Sequence, residues 1–507
     1  MVSNFKIKKT MKNKYIYLAV LAAFGFASCE PEFENEVNAD YSSGEADFTS
    51  YVAVGNSLTA GYMDGTVYRS GQQYSFPNLL AQKFALVGGG AFTQPSFAED
   101  VNNLGGISGV PGFNTRLIID ASQGRPENIA GSSTITLTPQ ATAYNNMGVP
   151  GAKSFHLVFP GYGLLNPYYA RHATSPTATV LSDAMTKNPT FFTNWIGAND
   201  VLSYATNGGA QVDGTTPAAD HNLTGNINPA TYGINDITNA GVFANVYSTL
   251  ITTLTNGGAK GVVATVPSVT SIPYFTTVPY NPVPLNNASA SQLNAGYATY
   301  NGALDFAFSN GLISNAERMQ RKVIFNAGQN PVVIVDADLT NLTSFGIPSY
   351  RMTTSQDLIV LPASSLIGTL VGGNPSLING LSVPLANRWV LTSNERAKVA
   401  AATTAYNNAI RSIAATKNLA VADMNAILNE LVSGLRIETG QLYTANYFSG
   451  ASTEGQVLFS LDGVHPNARG YAVITNEIIK VINTHYKSNL PLYHPSYFPG
   501  INVLPSN

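Results

Sequence analysis

The sequence predicts an α/β protein in which helices cover both faces of a central, mostly parallel sheet. Short apolar runs typical of buried strands alternate with longer segments whose apolar residues recur at helical spacing. Two of the helical segments lead directly into an apolar strand, as in half of a βαβ unit. Hydrophobic residues make up 44% of the 507 residues, which is enough for a large core. The expected architecture is therefore a three-layer α/β/α domain.

The individual elements follow from local patterns. Four segments have the length and the apolar content of buried strands: residues 50–54, 190–196, 261–266 and 419–422. Four segments carry an apolar helical face: residues 75–84, 242–254, 392–413 and 468–485. Ser75 before Pro77 predicts an N-cap, and Thr392 with Glu395 predicts a capping box.

Two stretches do not fit a minimal α/β domain. Residues 65–141 are rich in Gly, Ser and Thr. Residues 268–391 combine a Pro-rich loop with a predicted helix over 291–308 and a short strand over 332–335. We interpret both stretches as large insertions that build a substrate cleft. The second could instead form a small separate domain.

The N-terminus predicts export and a lipid anchor. Five lysines between residues 6 and 14 precede an apolar run over 15–27, which is shorter than the roughly 20 residues of a membrane span. The run ends in Phe-Ala-Ser-Cys29, which resembles a bacterial lipobox. We therefore expect a lipoprotein signal peptide over 1–28, with Met11 as a second candidate start, and lipidation of Cys29 in the cell envelope, at the outer membrane. The alternative is an ordinary cleaved signal peptide.

The residues after Cys29 predict a tether. Segment 29–47 contains seven acidic residues and neither Lys nor Arg, so self-repulsion favours a flexible chain. We expect the folded domain to span 48–490, followed by a C-terminal tail over 491–507.

Composition excludes several classes of function. The net charge is −3 and the body of the chain carries no basic stripe, which argues against nucleic acid as a partner. Cys29 is the only cysteine, so neither an intrachain disulfide nor a Cys-based metal site can form. The histidine spacings predict no metal site. We expect no metal and no cofactor.

Ser57 is the candidate nucleophile. It lies in Gly55-Asn56-Ser57-Leu58, a turn directly after the first predicted strand. The carboxyl edge of an open α/β sheet is where such folds bind ligands. Because Thr59 replaces the last glycine, the turn is not a lipase-type Gly-x-Ser-x-Gly elbow. Taken alone, it could be a structural turn.

Two further turns offer hydrogen-bond donors. Gly151, in Gly-Val-Pro-Gly151, would let a backbone N–H approach a ligand closely, although a plain Pro-Gly turn is the alternative. Asn199, in Gly197-Ala-Asn199-Asp200, follows a predicted strand and carries a neutral amide donor, although a helix cap is the alternative. Asp200 is interpreted as a cap or a structural partner.

Asp462 and His465 form the fourth motif, Asp-Gly-Val-His-Pro, in a loop before the last predicted helix. A spacing of three residues lets the carboxylate reach the ring Nδ1–H, which leaves Nε2 to face a nucleophile. A helix-preceding loop with a surface histidine is the alternative. The other five histidines lie in no comparable motif and are interpreted as surface or packing residues: His156, His172, His221, His485 and His494.

Together the four motifs resemble the GDSL/SGNH hydrolase family, whose four sequence blocks contribute Ser, Gly, Asn and His in that order. Asn56 stands where the family usually has Asp. The resemblance implies a flavodoxin-like sheet and an ester hydrolase. It also implies catalysis by Ser57, Asp462 and His465, with an oxyanion hole built from Ser57, Gly151 and Asn199. It does not cover the two insertions.

Other classes of function remain open. A surface glycan-binding lipoprotein could use the 26 tyrosines and 23 phenylalanines as stacking platforms. An acyltransferase could use the same site with a sugar hydroxyl in place of water. The ester substrate could be an acetylated glycan, a lipid or a small molecule, and the sequence does not predict an oligomeric state.

Overall fold

The computed structural model describes residues 40–437, 440–448 and 454–507. The predicted signal peptide over 1–28, Cys29 and the tether up to residue 39 lie outside the described residues. One compact unit spans Ser43–Asn507, so the folded part begins before the expected residue 48. Glu45 donates its N–H to the Tyr486 carbonyl at 2.7 Å, and Ala46 is buried, which fixes this earlier start. Residues 268–391 belong to the same unit and are not a separate domain.

The described residues form fourteen α-helices and sixteen strands. The helices are α1 Ser57–Ala60, α2 Arg69–Gln72, α3 Phe76–Ala85, α4 Pro167–His172, α5 Val180–Met185, α6 Asn199–Thr206, α7 His221–Thr224, α8 Ala240–Thr255, α9 Pro273–Thr276, α10 Asn287–Ser309, α11 Asn315–Arg321, α12 Ser393–Thr416, α13 Met424–Ser433 and α14 Ala468–Tyr486. The strands are β1 Tyr51–Gly55, β2 Leu117–Asp120, β3 Arg125–Asn128, β4 Asn146–Gly148, β5 Phe191–Trp195, β6 Lys260–Ala264, β7 Val283–Leu285, β8 Gly328–Asn330, β9 Val333–Val335, β10 Tyr350–Met352, β11 Leu358–Ile359, β12 Val390–Leu391, β13 Ala420–Ala422, β14 Leu435–Arg436, β15 Leu442–Tyr443 and β16 Val503–Leu504.

The central sheet is parallel, as predicted. Its order is β13-β6-β5-β1-β4, and all four neighbouring pairs run in the same direction. Numbered along the chain, these five strands have the order 2-1-3-4-5, which is the flavodoxin-like order. The strand order reverses between β1 and β5, and ligands of such sheets bind at the carboxyl ends beside that switch point.

Side chains alternate between the two faces of the sheet. On β1, Tyr51 and Ala53 pack in one buried cluster with α3 and α14. Val52 and Val54 point the other way and pack in the larger cluster with α5, α8 and α12. Helices therefore cover both faces, an arrangement compatible with three α/β/α layers.

The predicted elements are confirmed, with small shifts at their ends. Ser75 and the Thr392–Glu395 capping box begin α3 and α12. The predicted strand 261–266 ends at Ala264 because the Asn407 side chain pairs with both the N–H and the C=O of Val266. Those two hydrogen bonds replace the next step of the strand ladder.

The two regions predicted as insertions are more integrated than expected. Helix α3, inside 65–141, is part of the layer that covers the sheet. Region 268–391 contributes Tyr297, Val333 and Ile359 to the main core cluster. The predicted tail is also attached, because β16 pairs with β2 and the Tyr493 hydroxyl donates to the Leu79 carbonyl. In the described ranges, no helix combines the length and the apolar character that a bilayer crossing needs.

A buried ion-pair network organises region 268–391. The Arg351 guanidinium binds Asp357 through two hydrogen bonds of 2.7 and 2.8 Å and binds Asp336 through a third. All three side chains are buried. Removing the cation would therefore leave two carboxylates without their counter-charge.

We predict that Arg351→Met lowers the free energy of unfolding by about 3–5 kcal/mol, since it breaks a buried ion pair from one side. The matched control is Arg411→Met, which breaks the half-exposed pair with Asp423 and should cost less than about 1 kcal/mol. Urea denaturation of both variants measures the difference. Equal losses would contradict this role for Arg351.

Candidate active site

Ser57 lies at the carboxyl end of β1, where the chain turns into α1. The Asn56 side chain caps this short helix by accepting the Leu58 N–H at 3.1 Å, and Ser57 is its first residue. Helix α1 passes directly over β4, where a Cβ on Gly148 would come within 2.3 Å of the Ala60 nitrogen. Glycine at 148 therefore allows the close approach that places Ser57 at the switch point of the sheet.

The structure brings Ser57, His465 and Asp462 together. His465 Nε2 lies 2.8 Å from the Ser57 Oγ, although the two residues are 408 positions apart in the chain. His465 Nδ1 lies 2.9 Å from the Asp462 Oδ2. Both distances are those of hydrogen bonds, so the imidazole bridges a hydroxyl and a carboxylate. This is the arrangement of a serine nucleophile, a general base and an orienting acid.

Asp462 is held in place by several donors. Its Oδ1 accepts the N–H groups of Val464 and His465 at 2.9 and 2.8 Å and the Ser460 hydroxyl at 3.0 Å. Burial raises the pKa of this carboxyl, but the His465 charge and the hydrogen bonds outweigh burial and leave the pKa below its ordinary value. Asp462 is therefore an anion near neutral pH and favours the Nδ1–H tautomer of His465.

Region 268–391 supports the loop that carries Asp462 and His465. Gly463 has a φ of +71°, which favours glycine, and its carbonyl accepts the Tyr274 N–H at 2.9 Å. A Cβ at this position would lie 2.9 Å from the Leu361 side chain. Tyr274 and Leu361 both belong to the region, so it contacts the loop between Asp462 and His465.

Asp64 is a buried residue of the site that the sequence interpretation missed. Its Oδ1 accepts the Leu461 N–H at 3.1 Å and its Oδ2 accepts the Tyr68 hydroxyl at 3.0 Å. Its own N–H donates to the Ser460 hydroxyl at 3.0 Å. The next N–H, of Gly65, donates to the Asp462 Oδ2 at 3.2 Å. The only sequence signal for this support was an Asp-Gly pair, which predicts a turn but not its distant partner.

Tyr62 covers one side of the imidazole. The centres of the Tyr62 and His465 rings are 4.5 Å apart, with an angle of 42° between the planes. The Tyr471 hydroxyl donates to the Tyr62 carbonyl at 2.7 Å and fixes the position of this segment. Tyr62 was also missed, because no motif connects residues of the first turn with the last helix.

Three N–H donors lie after β1, β4 and β5, at the carboxyl edge of the sheet. No acceptor among the described residues takes the backbone N–H of Ser57 or that of Gly151, which has a φ of +80°. The Val149 N–H donates to the Gly55 carbonyl at 3.0 Å and holds the Gly151 turn beside β1. Asn199 Nδ2 donates to the Ala152 carbonyl at 2.9 Å, which leaves its second N–H for a ligand. Backbone and amide N–H groups of this kind are the donors that stabilise a developing oxyanion in hydrolases.

Asp200 has a structural role, in agreement with the sequence interpretation. It is buried and accepts the Ser154 N–H at 2.8 Å and the Ser154 hydroxyl at 2.7 Å. Burial raises its pKa. These bonds connect the start of α6 to the segment after Gly151, so Asp200 positions Asn199 without facing the serine hydroxyl.

The remaining histidines make contacts outside the hydrogen-bonded line of Ser57, His465 and Asp462. His221 Nε2 pairs with Asp236 at 2.9 Å and its ring stacks on Tyr232. His172 is fully buried among aromatic rings. No three His, Cys, Asp or Glu side chains in the described part of the chain are grouped as metal ligands would be. His156, His485 and His494 likewise have hydrogen-bonding partners of their own.

Comparison with known proteins gives no relative. The chain matches no family model, and neither a curated protein nor a solved structure matches it.

We predict a pH-dependent contribution of Asp64 to stability. Burial raises the pKa of Asp64 to about 6, and the charge of Asp462 adds to the rise. An unfolded Asp has a pKa near 3.9. Between about pH 4 and 6 the folded carboxyl therefore keeps a proton that the unfolded one has lost, and the folded state loses stability as the pH rises.

Asp64→Asn removes this titration. The free energy of unfolding of the wild type minus that of Asp64→Asn should fall by up to about 3 kcal/mol from pH 4 to pH 7. Urea denaturation across this range measures it. Asp213→Asn is the control, because hydrogen bonds from Thr216 and Thr215 lower the pKa of Asp213 to about 2. The free energy of unfolding of the wild type minus that of Asp213→Asn should therefore not fall over this pH range. A flat difference for Asp64→Asn would rule out the raised pKa.

Proposed function

We propose that the protein is a serine ester hydrolase of the GDSL/SGNH type. The observation that carries the proposal is the continuous hydrogen-bonded line from Asp462 through His465 to the Ser57 hydroxyl, with distances of 2.9 and 2.8 Å. Two further features support it. The four family motifs follow in the family order. The first and third lie at the carboxyl ends of β1 and β5, the two strands that flank the switch point of a flavodoxin-like sheet.

The first half-reaction forms an acyl-enzyme. His465 Nε2 takes the proton of the Ser57 hydroxyl as Oγ attacks the ester carbonyl carbon, which gives a tetrahedral intermediate. The negative oxygen is stabilised by the backbone N–H groups of Ser57 and Gly151 and by the side-chain amide N–H of Asn199. The C–O bond to the alcohol then breaks, and His465 delivers the same proton to the departing oxygen. Asp462 stabilises the imidazolium throughout.

The second half-reaction consumes water. His465 takes a proton from a water molecule whose oxygen attacks the acyl carbonyl, and the same donors stabilise the second tetrahedral intermediate. The bond to Ser57 Oγ then breaks and the proton returns to the serine. The products are a carboxylic acid and the regenerated enzyme. A binding module would have no need for this aligned set of groups.

We predict that Ser57→Ala lowers kcat for a short-chain aryl ester by about 10⁶-fold, because the nucleophile is lost. Circular dichroism should show an intact fold, since Ser57 is a small residue in a capped turn. Ser309→Ala, an exposed serine at the end of α10, is the matched control and should keep full activity. Full turnover by Ser57→Ala would overturn the proposal.

Asn199→Ala should lower kcat by about 10²–10³-fold, which is the usual effect of removing one oxyanion donor. A fluorophosphonate probe should still label Ser57 in this variant, because the nucleophile and its base are unchanged. Asn207→Ala is the matched control at the C-cap of the same helix, where the side chain only donates to the Ser203 carbonyl. Normal turnover by Asn199→Ala would exclude it from the oxyanion hole.

A further inference from the structure

A cavity of about 110 Å³ lies beside the candidate active site, near the carboxyl end of β5 and between α13 and the start of α14. Its described lining consists only of apolar side chains and one glycine. Trp195, at the end of β5, forms part of the wall, and α13 contributes Ile427 and Leu431. The mechanism proposed above makes no use of this space.

The cavity and the triad share the same two short segments. Leu58 lines the cavity and directly follows Ser57, while Val464 and Pro466 line it and flank His465. The Leu58 and Val464 N–H groups are each fixed by a side-chain acceptor, at 3.1 and 2.9 Å. The wall of the cavity is therefore built in part by the chain neighbours of Ser57 and His465.

The chemistry of the wall selects an apolar occupant. A sugar hydroxyl would lose its water without gaining a hydrogen bond, and a water molecule would find no polar partner on the wall. An alkyl chain loses nothing on entering and gains the free energy of removal from water. Because apolar cavities of about 150 Å³ accept a benzene ring, this one has room for roughly four to five carbon atoms.

We propose that this cavity binds the hydrocarbon chain of the substrate ester. The inference rests on the proposed function and narrows it to esters that carry a short to medium alkyl chain. Each methylene added to the chain should raise kcat/KM about fourfold until the cavity is full, and the gain should then stop. An acetylated glycan offers no such chain and becomes the less favoured substrate.

The first test measures kcat/KM for esters of increasing alkyl chain length in variants that make the cavity smaller or larger. Ile427→Phe should lower kcat/KM about tenfold for a five-carbon chain and leave the two-carbon ester nearly unchanged. Ile427→Ala should shift the optimum to longer chains. Val432→Phe is the matched control, since Val432 is exposed on the same helix and does not line the cavity. An identical chain-length profile in all four proteins would overturn the proposal.

Two ester series show which half of the ester occupies the cavity. One series varies the acyl chain with a fixed alcohol, and the other varies the alcohol with a fixed acetyl group. If kcat/KM rises with chain length in one series and Ile427→Phe removes the rise, the proposal is supported and the varied half of the ester is assigned to the cavity. If kcat/KM rises with chain length in neither series, the proposal is contradicted.

A binding experiment separates this inference from the proposed function. The chain has two tryptophans, so Trp389→Phe leaves Trp195 as the only one. In a Ser57→Ala, Trp389→Phe protein, ethyl 6-bromohexanoate should quench Trp195 fluorescence, and Ile427→Phe should remove the quenching. Quenching without any ester turnover by the wild type would contradict the proposed esterase activity but would support the cavity as an alkyl-binding site. Ester turnover without quenching would contradict only the proposal that the cavity binds the alkyl chain.

Discussion

The candidate active site depends on one constraint: the loop that carries Asp462 and His465 must stay in register with the turn that carries Ser57. A hydrogen bond of 2.8 Å cannot tolerate a shift of even an ångström. The turn is fixed by the parallel sheet beneath it, and the loop is fixed from below by Asp64 and Ser460 and from the side by Tyr274. The triad is thus a product of tertiary packing around the carboxyl edge of β1.

Much of the fold followed from local sequence patterns. The strand 50–54 and the helix begun by Ser75 were predictable because apolar periodicity and capping are encoded within a few residues. The pairing of Asp462 with His465 was also a local prediction, since three residues separate them. That Ser57 would lie within hydrogen-bonding distance of His465 came only from the family resemblance, because no local pattern encodes a contact across 408 positions.

What the sequence did not predict consists of long-range contacts. Asp64 lies in an ordinary Asp-Gly turn, and only the folded chain places it under Leu461. The predicted strand 261–266 was too long because Asn407, on a helix far along the chain, takes the hydrogen bonds of Val266. The contribution of the regions 65–141 and 268–391 to the core was likewise not predictable, because it depends on contacts with distant residues that composition does not specify.

The most direct test of the central claim is a crystal structure of the protein after reaction with a fluorophosphonate. The proposal predicts phosphorus bonded to the Ser57 Oγ. It also predicts a phosphoryl oxygen about 2.7–3.1 Å from the backbone nitrogens of Ser57 and Gly151 and from the Asn199 Nδ2. A label on another residue, or a phosphoryl oxygen that points away from these three donors, would contradict the account.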